Sequence, residues 1–96
     1  MKKLTPAQVD KKLQSYEDWS VNKARTKLTR TFESKSYIDS LAHVARIAVY
    51  AEVFQHHPDI ELTYGKVKIA LTSHEVKGVT SADFDMVKRI EKVFAS

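Results

Sequence analysis

The chain has 96 residues, enough for one domain over residues 1–96 and only a modest core, so association with other copies or partners is a common route to stability at this size. It contains no cysteine, which excludes a disulfide scaffold, a thiolate nucleophile and a cysteine-ligated zinc or iron–sulfur centre. The net charge of +4 is scattered, with Lys2-Lys3, Lys11-Lys12 and Lys88-Arg89 as its longest basic runs; a mild positive field would favour an anionic ligand, but the basic stripe of a nucleic-acid binder is missing.

No stretch reaches the ~20 apolar residues that span a bilayer, and Lys2-Lys3 is followed by no apolar run of the secretory kind. We therefore expect a cytoplasmic protein that engages neither membrane nor nucleic acid directly. There is no internal repeat, low-complexity stretch or linker. With only two glycines and two prolines, compact regular elements are expected throughout.

The first predicted element is a helix over about residues 6–15, with Thr5 as N-cap, Pro6 at the first helical position, and Val9 and Leu13 on one narrow apolar face. Two short strands follow, near residues 19–23 and over 26–33. The second alternates, is rich in threonine, and sets Leu28 and Phe32 on one face with Arg30 between them. Ser36 then caps the longest helix, about residues 37–55. Ile38, Leu41, Ala45, Ala48 and Glu52 lie along one side of it, with Val44, Ile47, Ala51 and Phe54 on neighbouring sides. That surface is wider than the ~100° stripe of a helix wetted on one side. It predicts packing against the chain's own sheet and against another subunit, in a homodimer or homotetramer.

Pro58 is expected to end this helix, with His56-His57-Pro58-Asp59 as a loop. Residues 61–64 and 66–72 read as two strands around Gly65. Val67, Ile69 and Leu71 face one way and Lys66, Lys68 and Thr72 the other, as in a half-buried antiparallel strand. Gly78 marks a turn. Thr80-Ser81-Ala82-Asp83 resembles a capping box with Asp in place of Glu, opening a helix over about residues 81–94 with Phe84, Val87, Ile90 and Phe94 inward. The fold class expected from the order α-β-β-α-β-β-α is α+β, a four-stranded antiparallel sheet with three helices packed on one face.

Chemistry concentrates between Glu52 and Asp83. His56 and His57 sit where a helix meets a loop, and His74 follows a strand end, so the layout can bring all three to one cleft. Imidazole, with an unperturbed pKa of ~6.5, gives and takes protons near neutrality. His43, mid-helix among apolar residues, reads as structural. Asp83 also fits an ordinary helix-N-terminal acid, Glu52 an ordinary helix polar residue, and Tyr64 a strand-core aromatic. Three histidines could ligate zinc, but adjacent ones point apart unless the loop bends sharply, so no metal is expected.

Taken together, Glu52, His56-His57-Pro58, Tyr64, His74 and Asp83 resemble, in identity and in spacing, the pattern of the pterin-4a-carbinolamine dehydratases. Ala51-Glu52 and Ser73-His74-Glu75 are similar to the family as well, and a weaker likeness runs through Trp19, Leu28, Arg30 and Phe32. The chain departs from the family's common residues at Ser73 (usually Thr), at Ala82 and Ser34 (Arg and an aromatic in animal members), and at Val76-Lys77-Gly78-Val79, where a Gly-Leu turn is more usual. These departures touch the pterin contacts more than the acid–base core.

The resemblance implies a lyase that removes water from a 4a-hydroxytetrahydropterin left behind by an aromatic amino acid hydroxylase, giving a quinonoid dihydropterin. The pterin is then substrate, and no cofactor is implied. By the same analogy His56 and His74 serve as acid and base, His57 binds and orients the pterin, and Glu52 or Asp83 fixes an imidazole tautomer. Pro58, Tyr64 and Ser73 complete the substrate-binding and orienting set. Some family members also act as dimerisation cofactors for a homeodomain transcription factor, and plant relatives are associated with assembly of carbon-fixing enzymes. The alternative is accordingly a non-catalytic cofactor whose wide helix face binds a partner helix.

Overall fold

In the computed structural model, which describes residues 1–95, the first helix starts on a reciprocal capping box. The Thr5 side chain accepts from the Gln8 N–H (3.2 Å) and the Gln8 side chain accepts from the Thr5 N–H (2.9 Å). Helix α1 (Pro6–Leu13) is shorter than expected, because the chain leaves it through successive turns in which Tyr16 N–H donates to Leu13 and Trp19 N–H to Tyr16. Strand β1 (Ser20–Val21) is likewise narrower. Asn22 consumes the ladder beyond it, its Oδ1 accepting from the N–H groups of Thr26 and Lys27, which makes a side-chain-braced turn in place of strand pairing.

Strands β1, β2 (Leu28–Glu33), β3 (Asp59–Thr63) and β4 (Lys66–Leu71) form a four-stranded antiparallel sheet in the order β1-β2-β4-β3. Register follows the hydrophobic pattern. Leu28 pairs with Leu71, Phe32 with Val67, Ile60 with Ile69 and Leu62 with Val67, so one face is apolar across β2, β4 and β3. That face is covered by Val9 of α1, by Ile47 and Ala51 of α2 (Tyr37–Phe54), and by Phe84, Met86, Val87, Ile90 and Val93 of α3 (Ser81–Ala95), all buried. Each fully buried Val, Leu or Ile side chain contributes about 1.5–3 kcal/mol. The other face exposes Thr31, Glu33, Glu61, Lys66 and Lys68. The α+β class, the element order and the sheet agree with the sequence expectation.

Helix α2 begins where Ser36 Oγ accepts the Asp39 N–H (3.1 Å). Its end falls within a residue of the expected one. Gln55 already adopts a left-handed backbone (φ 51°), and the His56 N–H donates to the Ala51 carbonyl (3.1 Å), so the stop comes before Pro58 is reached. The wide apolar surface of α2 is only partly used: Ile47 and Ala51 are buried, whereas Tyr37, Ile38, Leu41, Val49, Val53 and Phe54 remain exposed.

Tyr64 and Gly65 form the β3–β4 turn, and Tyr64 lies outside the strand expected to hold it. Gly65 has φ 79°, a conformation costly to a residue with a Cβ. Gly65→Ala is expected to lower stability by roughly 1–2 kcal/mol, read from the midpoint of urea unfolding, without displacing the histidines at the far end of the strands.

Candidate active site

Three local devices bring the site together. The left-handed stop at Gln55 turns His56 and His57 away from the α2 axis. Pairing of Asp59 with Ala70 then sets that loop beside the C-terminal end of β4. Beyond β4, Ser73 and Gly78 form an isolated bridge (Ser73 N–H to Gly78 carbonyl, 2.8 Å) that closes a loop containing the single 3-10 turn His74–Val76, with Lys77 left-handed at φ 51°. His56, His57 and His74, with Thr72, Ser73 and Met1, thereby line one cleft of about 180 Å³.

The histidines are held differently. The His56 side chain is 11% exposed and its Nε2 lies 2.6 Å from Oδ1 of Asp83, which is fully buried. Asp83 Oδ2 accepts the Ser73 hydroxyl (2.8 Å) and the Thr80 N–H (2.9 Å), and the Ser73 and Thr80 hydroxyls are 2.8 Å apart. A carboxylate this deep is tolerated because each of its oxygens is hydrogen-bonded. His57 sits at the solvent edge, its Nε2 2.5 Å from Glu52 Oε2 with both groups largely exposed, so this pair orients the ring more than it stabilises the fold. His74 is exposed at the start of the 3-10 turn.

Of the expected site residues, His56, His57, Ser73 and His74 meet in the cleft, with Glu52 and Asp83 bonded to two of the rings. Half-buried Pro58 separates His57 from β3. Tyr64 is not brought there; it stands 82% exposed at the opposite end of the β3–β4 hairpin, neither core aromatic nor neighbour of the histidines. Thr80 was legible only as a helix cap, and its pairing with Ser73 carried no signal of its own. His43 packs on the Phe94 ring (centroids 4.6 Å apart), away from the cleft, as its apolar surroundings imply.

A larger concavity of about 460 Å³ lies between β2 and the end of α3. Its cation is already engaged: Arg30 pairs with Glu91 (2.5 Å) and Asp18 (3.6 Å) and lies over the Phe32 ring, which stacks on Phe94. The smaller cleft holds the three imidazoles, the groups suited to moving protons near neutrality.

The family model described as pterin 4 alpha carbinolamine dehydratase matches residues 2–93. The chain is 37% identical over 90 residues to a protein of Nostoc punctiforme, covering 94% of this chain and 95% of that one. It is 35% identical over 85 residues to a protein of Rhodospirillum rubrum, covering 88% of each. Both relatives are provisionally named pterin-4-alpha-carbinolamine dehydratases. Among solved structures, a transcriptional coactivator/pterin dehydratase from Brucella melitensis superposes with a TM-score of 0.91 at 28% identity, over 96% of this chain and 98% of that one. A pterin dehydratase-like protein described as a RuBisCO assembly factor in the alpha-carboxysome superposes with a TM-score of 0.68 at 21% identity, over 79% and 88%, a likeness of fold alone.

Proposed function

The chain belongs to the pterin 4 alpha carbinolamine dehydratase family, and on that basis we propose that it is a cytoplasmic lyase converting a 4a-hydroxytetrahydropterin to a quinonoid dihydropterin and water. The observation that supports this reading is the lining of one cleft by three imidazoles, one of them braced by a buried carboxylate. The C4a–O bond breaks with its electron pair leaving on oxygen, and an acid protonates that oxygen so that water departs. A base takes the N5 proton, and the N5–H electron pair becomes the C4a=N5 double bond. The elimination balances with an acid and a base and needs no further cofactor. His56 and His74 take these two parts, and His57, tied to Glu52, holds the pterin. A cleft of about 180 Å³ is below the ~300–1,000 Å³ usual for enclosing a drug-sized ligand, so it would grip the reacting edge and leave the rest of the bicycle against solvent. An aromatic amino acid hydroxylase is the class of enzyme that would supply the substrate. Generating 4a-hydroxytetrahydropterin in place and following its ultraviolet absorbance tests the proposal: the purified protein should hasten decay, and decay at the spontaneous rate would count against it.

The exposed side of α2 supports a second property. Ile38, Leu41, Val49 and Val53 project from it at 47–68% exposure. We propose that this face joins copies of the chain in a homodimer or homotetramer, with a partner helix as the alternative occupant. Sedimentation should show an oligomer for the parent and a monomer for Ile38→Lys combined with Leu41→Lys. A monomeric parent would leave the face to a different partner.

A further inference from the structure

Counting donors and acceptors at the buried end of the cleft fixes more than the place of His56. Asp83 Oδ2 receives the Thr80 N–H and the Ser73 hydroxyl. Ser73 has one hydroxyl proton and a carboxylate only accepts, so that proton points at Asp83. The 2.8 Å contact between Ser73 Oγ and Thr80 Oγ1 is then donated by Thr80. Thr80 Oγ1 in turn accepts the Ala82 N–H (3.2 Å) in the first turn of α3. Hydrogen bonds thus run one way, from the helix amide through Thr80 and Ser73 to Asp83. Oδ1 is left for His56 Nε2, which must itself carry a proton. The other ring nitrogen, Nδ1, has no hydrogen-bond partner among the described residues, yet it is not one of their buried unpartnered atoms, so it keeps a solvent-facing surface.

We infer that Thr80 is a positioning residue for the dehydration: through Ser73 and Asp83 it holds His56 as the Nε2–H tautomer and leaves Nδ1 as the nitrogen that exchanges a proton with the substrate. Only that last step rests on the dehydratase reading. The Thr80–Ser73 bond is separate from helix capping, which rests on the bonds from the Ala82 N–H to Thr80 and from the Thr80 N–H to Asp83. Linked hydrogen bonds polarise one another, so the Thr80 proton strengthens the Ser73 bond that keeps Asp83 an acceptor.

Long-range proton–nitrogen correlation spectra of histidine-labelled protein read the tautomer without substrate, with His56 identified by its loss in His56→Gln. The parent and Thr80→Ser should show a protonated Nε2 and a bare Nδ1. Thr80→Val and Ser73→Ala should lose that single-tautomer signature and lower kcat about tenfold, as removal of a histidine's outer partner commonly does. KM should stay within about twofold, since both residues are buried and their hydroxyl protons are committed within the relay. Ser73→Ala keeps the Thr80 cap on Ala82, so it reports on the relay even where Thr80→Val fails to fold. An Nδ1–H tautomer in the parent, or variants with parental spectra and kcat, overturns the inference. The expected spectra in a protein that dehydrates nothing would overturn its catalytic half together with the dehydratase reading, leaving the relay itself standing.

Discussion

Replacing His56 and His74 together with alanine is expected to bring dehydration close to the spontaneous rate. General acid–base help from a positioned side chain typically contributes ~10²–10⁴-fold, so each single change should lower kcat by roughly a hundredfold or more and the pair should leave little. The fold should survive, because neither ring is part of the apolar core and the sheet register is set elsewhere. The two changes should differ in stability. His74 is exposed, and its loss should leave the unfolding midpoint in place. Removing His56 strips the donor from Oδ1 of a fully buried carboxylate, and a buried group left unsatisfied costs about 1–3 kcal/mol. Circular dichroism and urea titration beside the kinetics separate the two effects. A double variant as fast as the parent would remove both residues from the chemistry.

Asp83→Asn is the second change with a large expected effect. Asp83 accepts from Ser73, Thr80 and His56 through two oxygens. An asparagine offers one acceptor oxygen and an NH₂ group, so with the present tautomer at least one of those donors must face another donor at a fully buried position. Stability should fall by roughly 1–3 kcal/mol. Turnover should fall further, because the amide NH₂ turned to His56 favours the opposite tautomer; a substitution of this kind beside a catalytic histidine lowers kcat by up to ~10⁴-fold. We expect a loss of at least a hundredfold in kcat with the secondary structure retained. Parental kcat and stability in Asp83→Asn would contradict the bracing role.

Much of the fold was legible because its signals are local and periodic. The alternation of Val67, Ile69 and Leu71 needs no tertiary knowledge to mark one face of β4, and Thr5-Pro6 marks a helix start by the bonding habits of those two residues. The stop of α2 was not legible in the same way. Pro58 signals that the helix must end nearby, but Gln55 is left-handed although its side chain has no special liking for that region, so the capping residue itself carried no signal. Tyr64 sat at the right spacing for the family pattern, and only the hairpin geometry places it away from the cleft. The burial of Asp83 was hidden for a related reason. A carboxylate in the first turn of a helix is ordinarily a solvated cap, and only the long-range meeting of α3 with His56 and Ser73 takes it out of water. The three histidines were legible as candidates by residue type. Their convergence depends on pairing Asp59 with Ala70, a contact that no local pattern states.

The most direct test is a side-by-side progress curve: 4a-hydroxytetrahydropterin formed in place, with parent protein in one cell and the His56→Ala/His74→Ala variant in the other, both followed by ultraviolet absorbance. The account predicts rapid loss of the carbinolamine with the parent and a curve on the spontaneous trace with the variant. Superimposable curves, whether both fast or both spontaneous, would contradict it.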